Sequence, residues 1–180
     1  MNFNGIPAAD AFALRSGVNC IVVGDAPCKH EDYAAALRMA PTAHVCILND
    51  SKRDMDGIEE QMTVTMHGAV NNFIGTHRMP LSRISDDSTV ISYVCGGDEH
   101  ERVDAVYSCD SVWGTCALFG VLSAFYHGYD SVILAGCPML GAYGSESKLG
   151  SWQPWLPHLI GRVSSLSGNT MKMFKEADRG

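Results

Sequence analysis

Short apolar runs alternate with helix-like segments along this chain, and this alternation restricts its fold more than any other feature. Four runs are rich in β-branched residues, at 20–23, 44–48, 89–95 and 131–135, and a weaker one lies at 62–66. The runs are nearly continuous, which is typical of parallel strands covered on both faces. Strands that alternate with helices predict an α/β fold with a largely parallel sheet.

Two segments between these runs have helical periodicity. Residues 30–39 place their apolar side chains on one stripe. The stronger pattern runs over 112–127, where apolar residues recur at spacings of three and four. Ser111 or Asp110 is its candidate N-cap, and Gly128 follows its last turn. Both segments supply the helices that the α/β interpretation requires.

Size and charge limit the organisation and the partners of the chain. With 180 residues, 46% hydrophobic content and 18% charged residues, we expect a single domain over 1–180, in which 151–180 forms a C-terminal packing or interaction tail. The net charge is −7, and the 13 basic residues are scattered. Nucleic acid and anionic membranes both require clustered Lys and Arg, so neither is expected as a partner.

The cysteines and the N-terminal residues predict a cytoplasmic protein. Residues 1–14 lack the basic and apolar regions of a secretion signal, and no apolar window is long enough to span a bilayer. The seven cysteines form no C-x-x-C pair, and several lie within apolar runs. Free thiols in a reducing compartment fit this pattern better than disulfides or a zinc site.

Candidate ligand-binding residues follow the predicted strands, because ligands of open parallel sheets bind outside the strands' carboxyl ends. They are Gly24, Ala26 and Pro27 after the first strand, Asn49 and Asp50 after the second, and Gly136 and Cys137 after the last. A glycine allows close approach of a ligand, and the amides after it can donate to an anion. Neither a G-x-G-x-x-G motif nor a P-loop is present, and a plain strand-to-helix turn explains the first stretch equally well.

A second candidate anion site opens the long helix. Gly114, Thr115 and Cys116 would present free amides and a hydroxyl at its N-terminus. The alternative is that Asp110 or Ser111 caps the helix while Gly114 permits close packing.

Other chemistry-bearing residues have a functional and a structural interpretation. His67 follows the weak strand and is the candidate acid/base, although a lone histidine is more often a hydrogen-bonding residue. Asp25 is the second catalytic candidate, since a carboxylate beside a bound anion must point away, meet a cation or do chemistry. Residues 98–101 have metal-ligand types, but a solvated charged loop is favoured and no metal site is predicted. Trp152 and Trp155 could stack a base or hold a terminal helix on the core.

Four stretches together resemble a known family. They are IVVGDAPC (21–28), VTMHGAV (64–70), WGTCALFGVLSAFYHGYDSVILAGCPM (113–139) and RVSSLSGNTMKMF (162–174). The first and third resemble the opening turn and the helix–strand block of archaeal 6-hydroxymethylpterin diphosphokinase-like proteins. That Rossmann-like family looks related to sialyltransferase-type glycosyltransferases. The other two stretches resemble segments of short bacteriophage-encoded relatives.

The resemblance implies a Rossmann-like three-layer sandwich with a largely parallel sheet. It also implies that a nucleotide or another phosphorylated ligand binds between the first turn and the start of the long helix. The chain departs from the family pattern at four places. Asp25 replaces a small or amide residue, Cys28 and Cys116 stand where hydroxyls are common, and Cys137-Pro138 replaces an acidic residue that can hold a metal. These departures weaken the case for diphosphate transfer more than the case for the fold.

Two functions follow, and the sequence leaves open whether the chain is an enzyme. In the first, a group-transfer protein binds a nucleotide or nucleotide sugar. The amides of 24–26 and 114–116 and the Thr115 hydroxyl hold phosphate, Asn49 and Asp50 contact ribose or base, and Mg²⁺ is the candidate cofactor. In the second, the chain is a phage accessory or virion protein that uses the fold as a scaffold. Its partners are copies of itself or phage structural proteins, in the host cytoplasm or the virion.

Overall fold

A computed structural model of the chain describes residues 2–3, 6–7, 17–49, 51, 55, 57–65, 87–93, 104–107, 115–140 and 146–177. Near the N-terminus, β1 (Asn2–Phe3) and β2 (Ile6–Pro7) form a small antiparallel pair. The main-sheet strands are β3 (Asn19–Val23), β4 (His44–Leu48), β5 (Met62–Thr65), β6 (Thr89–Tyr93), β7 (Ala105–Tyr107), β8 (Ser131–Ala135) and β9 (Val163–Ser165). The helices are α1 (Lys29–Met39), α2 (Cys116–Tyr126), α3 (Leu156–Leu159), α4 (Gly168–Ala177) and a 3₁₀ helix (Glu146–Trp152).

Within the described residues, seven strands form one sheet in the order β7-β6-β5-β4-β3-β8-β9, and every pair is parallel. In chain order, β3 is the first strand of this sheet, β4 to β7 are added on one side of it, and β8 and β9 are added on the other side. The strand order therefore reverses between β3 and β8. Such a reversal opens a crevice at the carboxyl edge of an open α/β sheet, where ligands of these folds bind.

The sheet separates two apolar cores, so the fold has three layers. Cys20 and Val22 of β3 face one core, with α2 and the buried residues of the C-terminal segment. Ile21 and Val23 face the other core, with α1. Because successive side chains of a strand point to opposite faces, a strand covered on both faces must be apolar throughout. This confirms the predicted Rossmann-like three-layer sandwich and its parallel sheet.

The element boundaries agree with the periodicity where the pattern is strong. The predicted strands at 44–48 and 131–135 have the predicted bounds. The predicted N-cap of the long helix is wrong, because that helix begins at Cys116 and Thr115 is its N-cap. The strands β7 and β9 were not predicted, since each has only three residues, too few to show a periodic pattern.

The C-terminal segment packs onto the α2 face of the sheet. Trp152 and Trp155 have no exposed surface, and both lie in the α2-side core. The Trp152 ring meets Phe174 of α4 edge-to-face, with 5.8 Å between the ring centroids. Buried rings of this size contribute most of the packing energy in such a segment. Of the two interpretations of the tryptophans, the structure supports the one that holds the C-terminal helices on the core.

Candidate functional site: the crevice at the carboxyl edge of the sheet

The two strand ends at the reversal point touch through their glycines. A Cβ atom on Gly24 would lie 2.5 Å from the Gly136 carbonyl oxygen and 2.6 Å from Cys137 Sγ. A Cβ atom on Gly136 would lie 2.8 Å from the Gly24 carbonyl oxygen, and the φ of Gly136 is +63°. Both glycines are therefore required by backbone packing between β3 and β8, and Gly136 also by its left-handed conformation.

Hydrogen bonds continue across this contact beyond the ends of the strands. The Gly24 N–H donates to the Ala135 carbonyl at 2.9 Å, and the Ala26 N–H donates to the Gly136 carbonyl at 3.2 Å. Two of the amides predicted to hold an anion are thus already paired with β8. An anion in the crevice requires other donors.

A buried lysine crosses the carboxyl end of β3. Lys29 lies in the first turn of α1 and is 3% exposed. Its Nζ donates to Asp25 Oδ1 at 2.7 Å and to the Ser51 carbonyl, in the loop after β4, at 3.0 Å. A cation is unfavourable near a helix N-terminus, whose partial charge is positive, and a buried ammonium requires anionic partners. The Lys29 ammonium therefore makes this edge a site for negative charge.

A second acidic residue fixes the backbone beside Lys29. Asp32 is buried, and its Oδ2 accepts the Gly136 N–H at 2.9 Å and the Ser167 hydroxyl at 2.7 Å. The Cys28 thiol donates to Ser167 Oγ at 3.5 Å. Burial raises the pKa of the Cys28 thiol, against the opposing effect of its hydrogen bond to Ser167. Cys28 is therefore a neutral thiol at physiological pH. The two hydrogen bonds that Asp32 accepts hold the loop after β8 in position.

The segment Ser167–Thr170 closes the β8 side of the crevice. The Thr170 hydroxyl donates to the Cys137 carbonyl at 2.6 Å, and the Asn169 side-chain amide donates to the Met139 carbonyl at 3.1 Å. Together with Asp32, these bonds hold the loop 136–139 against the start of α4. Residues 167–170, which lie in one of the four stretches that carry the resemblance, thus have a structural function here.

The end of β4 meets the start of α2. Asn49 has a φ of +48°, a left-handed conformation that Asn adopts more readily than most residues. Its side-chain Nδ2 donates to Cys116 Sγ at 3.0 Å. Asn49 and Cys116 are both half-buried, so this contact lies at the surface of the crevice. Two predicted ligand-binding residues are brought together here.

Thr115 caps α2 without a side-chain capping bond. Its hydroxyl is buried and lies 3.3 Å from Ser151 Oγ of the 3₁₀ helix. Ser151 uses its own proton for the Lys148 carbonyl at 2.7 Å, so Thr115 is the donor in this contact. The hydroxyl that was expected to donate to phosphate therefore donates to the 3₁₀ helix in this structure.

The buried thiols of Cys20, Cys46 and Cys137 belong to the α2-side core. Burial raises the pKa of the Cys137 and Cys46 thiols. Burial raises the pKa of Cys20 in the same way. Each of these thiols stays protonated, so none of the three is a nucleophile near neutral pH.

The predicted site residues divide into three groups. Gly24, Ala26, Gly136 and Cys137 are buried at the reversal point, and Thr115 is buried at the start of α2. Asp25, Pro27, Asn49 and Cys116 reach its solvent side. His67, Asp50 and Gly114 lie outside the described residues.

Sequence reasoning missed Lys29 and Asp32, which make most of the polar contacts around Asp25 and Gly136. A signal existed, because Lys29 stands four residues after Asp25 and in the first turn of a helix, where a cation is unfavourable. A lysine in that position implies a nearby carboxylate. Asp32 gave no such signal, because acidic residues are ordinary in the first turn of a helix.

No group of three or more metal-ligating side chains occurs among the residues that the structure describes, and the acidic cluster at 98–101 lies outside them. None of the described helices is long and apolar enough to cross a membrane.

A known glycosyltransferase shares this fold. The chain is similar to the structure of the MAf glycosyltransferase from Magnetospirillum magneticum AMB-1, with a TM-score of 0.51 and 14% sequence identity. The similarity covers 93% of this chain and 37% of that protein, so the chain spans little more than a third of its length. Comparison with protein families and with curated proteins found no match. At this identity the similarity shows the fold, and a glycosyltransferase-like fold agrees with part of the resemblance drawn from the sequence.

Proposed function

We propose that this chain binds a nucleotide or nucleotide sugar in the crevice after β3 and β4, as a protein of group-transfer type. The observation that carries the proposal is the buried ammonium of Lys29, which lies at the carboxyl edge of the sheet between Asp25 and the Ser51 carbonyl. Phosphate is the group of such ligands that a buried ammonium recognises. The start of α2 supports the proposal, because its N-terminus adds partial positive charge on the opposite face.

The fold shared with a glycosyltransferase supports group transfer as the class. Asn49 and Cys116 line the solvent side of the crevice, where a ribose or base beyond the phosphate would lie. Acid/base chemistry by Asp25 or His67 belongs to the same proposal, and Asp25 reaches solvent at the required edge.

A thermal-shift panel tests the proposal. It contains ADP, ATP, UDP, UDP-glucose and pyrophosphate, each with and without Mg²⁺ or Mn²⁺. A ligand at about ten times its Kd stabilises the folded state by about 1.4 kcal/mol. For a chain of this size that raises Tm by about 3–6 °C.

Two variants give the panel its specificity. Lys29→Met should remove the ligand-dependent shift, whereas Lys175→Met, which removes an exposed lysine of α4, should retain it. No shift for any ligand at millimolar concentration, together with a defined oligomer by light scattering, would favour the scaffold alternative. An equal shift in Lys29→Met would place the ligand elsewhere.

A further inference from the structure

Asp25 and Lys29 form an ion pair whose two partners are unequally exposed. The distance between Asp25 Oδ1 and Lys29 Nζ is 2.7 Å, and the side chains are 49% and 4% exposed, respectively. The ammonium is fixed in the protein, while the carboxylate lies at the boundary with solvent. A ligand that approaches the ammonium from solvent therefore meets the Asp25 carboxylate first.

A bound anion and the Asp25 carboxylate would repel each other if both lay beside the Lys29 ammonium. Asp25, Glu31 and Asp32 are the acidic residues within four positions of Lys29 along the chain. Glu31 is exposed, and Asp32 is committed to the Gly136 N–H and the Ser167 hydroxyl. A phosphate beside the intact pair would repel the Asp25 carboxylate, whereas a phosphate in its place would keep the ammonium paired.

We propose that the Asp25 carboxylate is an internal occupant of the anion site and that the ligand's phosphate displaces it from Lys29. This inference rests on the proposed function, and it adds a regulatory contact to the same site. On binding, the phosphate oxygen takes over the Asp25 hydrogen bond while the Ser51 carbonyl keeps its own. Asp25 turns to solvent, which its exposure permits without disturbing the core.

The expected effect follows from the fraction of molecules in which the site is open. The apparent Kd is the intrinsic Kd divided by that fraction, so an ion pair closed about nine-tenths of the time weakens binding about tenfold. Asp25→Asn keeps the size and an acceptor oxygen but removes the charge that holds the pair closed. We expect this variant to bind about tenfold more tightly than the wild type, equivalent to about 1.4 kcal/mol.

Isothermal titration with ADP, UDP and pyrophosphate tests the exchange in four proteins: wild type, Asp25→Asn, Lys29→Met and Glu31→Gln. Glu31→Gln is the matched control, because it removes one carboxylate from the same helix end without touching Lys29. Circular dichroism and Tm confirm that each variant is folded. Pyrophosphate separates recognition of phosphate alone from recognition of a nucleoside.

The exchange is supported if Asp25→Asn has a lower Kd than the wild type, Glu31→Gln has a Kd close to that of the wild type, and Lys29→Met shows no binding. Detectable binding by Asp25→Asn alone supports it also. Equal or weaker binding by Asp25→Asn, while the wild type binds through Lys29, overturns the exchange and leaves the proposed function standing. Equal gains in Asp25→Asn and Glu31→Gln overturn it too, since the effect is then one of general charge. Binding that Lys29→Met retains, or no binding by wild type and Asp25→Asn, overturns both proposals.

Discussion

Gly24→Ala tests whether the first glycine serves packing or a ligand. A Cβ atom at this position would lie 2.5 Å from the Gly136 carbonyl oxygen, and real Cβ atoms essentially never approach a neighbour so closely. The neighbouring atom belongs to backbone that also accepts the Ala26 N–H, so it cannot move without weakening that bond. Overpacking of a tight site costs about 1–3 kcal/mol, and we expect the upper end of this range. The corresponding fall in Tm is about 6–12 °C.

Differential scanning calorimetry and urea unfolding measure the loss in the free energy of unfolding. Gly150→Ala is the matched control, because a Cβ atom there meets nothing within 4 Å and should leave stability unchanged or slightly raised. A double-mutant cycle with Cys137→Ala adds a local test, since Cys137 Sγ is the second atom in contact, at 2.6 Å. Removal of that sulfur should recover about 0.5–1 kcal/mol of the Gly24→Ala loss.

The reasoning is refuted if Gly24→Ala unfolds at the same temperature and urea concentration as the wild type and shows no coupling to Cys137→Ala. The ends of β3 and β8 would then not approach each other as described. If that stable variant also lost ligand binding, the space beside Gly24 would belong to the ligand.

Three further predictions concern the surroundings of the crevice. Asp32→Ala leaves the buried Gly136 N–H without its acceptor and should lower the free energy of unfolding by about 3 kcal/mol in urea, whereas Asp32→Asn should lose less. Trp155→Ala creates a large cavity in the α2-side core and should cost about 3–5 kcal/mol in the same assay. Burial raises the pKa values of Cys20, Cys46 and Cys137 in the folded state. The free energy of unfolding should therefore be independent of these thiols below the thiol pKa of the unfolded chain, near 8.5. Above that pH the free energy of unfolding should fall by up to about 4 kcal/mol per pH unit. The slope should be smaller in Cys46→Ala, because one of the three thiols is then absent.

The fold could be predicted because its signal is distributed along the chain. A strand buried on both faces must be apolar along its covered part, and β4 and β8 are apolar at every position after their first residues, His44 and Ser131. The edge strands β7 and β9 have three residues each, and their pairing depends on the neighbouring strand rather than on their own composition. Short edge strands therefore carry no pattern that sequence reasoning can use.

Candidate site residues could be selected from the sequence, but their contacts could not be derived. The rule that ligands bind at strand ends selected Gly24, Asn49 and Gly136, and the structure brings their surroundings together. The rule does not say which groups are already paired. That depends on the backbone hydrogen bonds that join the chain after β3 to the end of β8 and the residue after it. These bonds join distant parts of the chain, so the local sequence does not indicate them. The partner of Asp25 was the nearest to being predictable, since Lys29 is four residues away.

In the stretch NCIVVGDAPC, residues 19–28, the backbone forms a strand-to-helix turn, while the Asp25 side chain belongs to the candidate ligand site. The turn is fixed by its backbone, because the Gly24 and Ala26 amides donate to the Ala135 and Gly136 carbonyls and Gly24 packs against Gly136. On the β8 side this leaves no space for a phosphate against the backbone. The charged group points the other way, since Lys29 Nζ reaches the Ser51 carbonyl after β4. A phosphate held by Lys29 must therefore lie between the ends of β3 and β4, on the side where Asp25 meets solvent and Asn49 meets the start of α2. The proposed phosphate position is therefore one strand away from the position that a glycine-rich cradle at the reversal point would give.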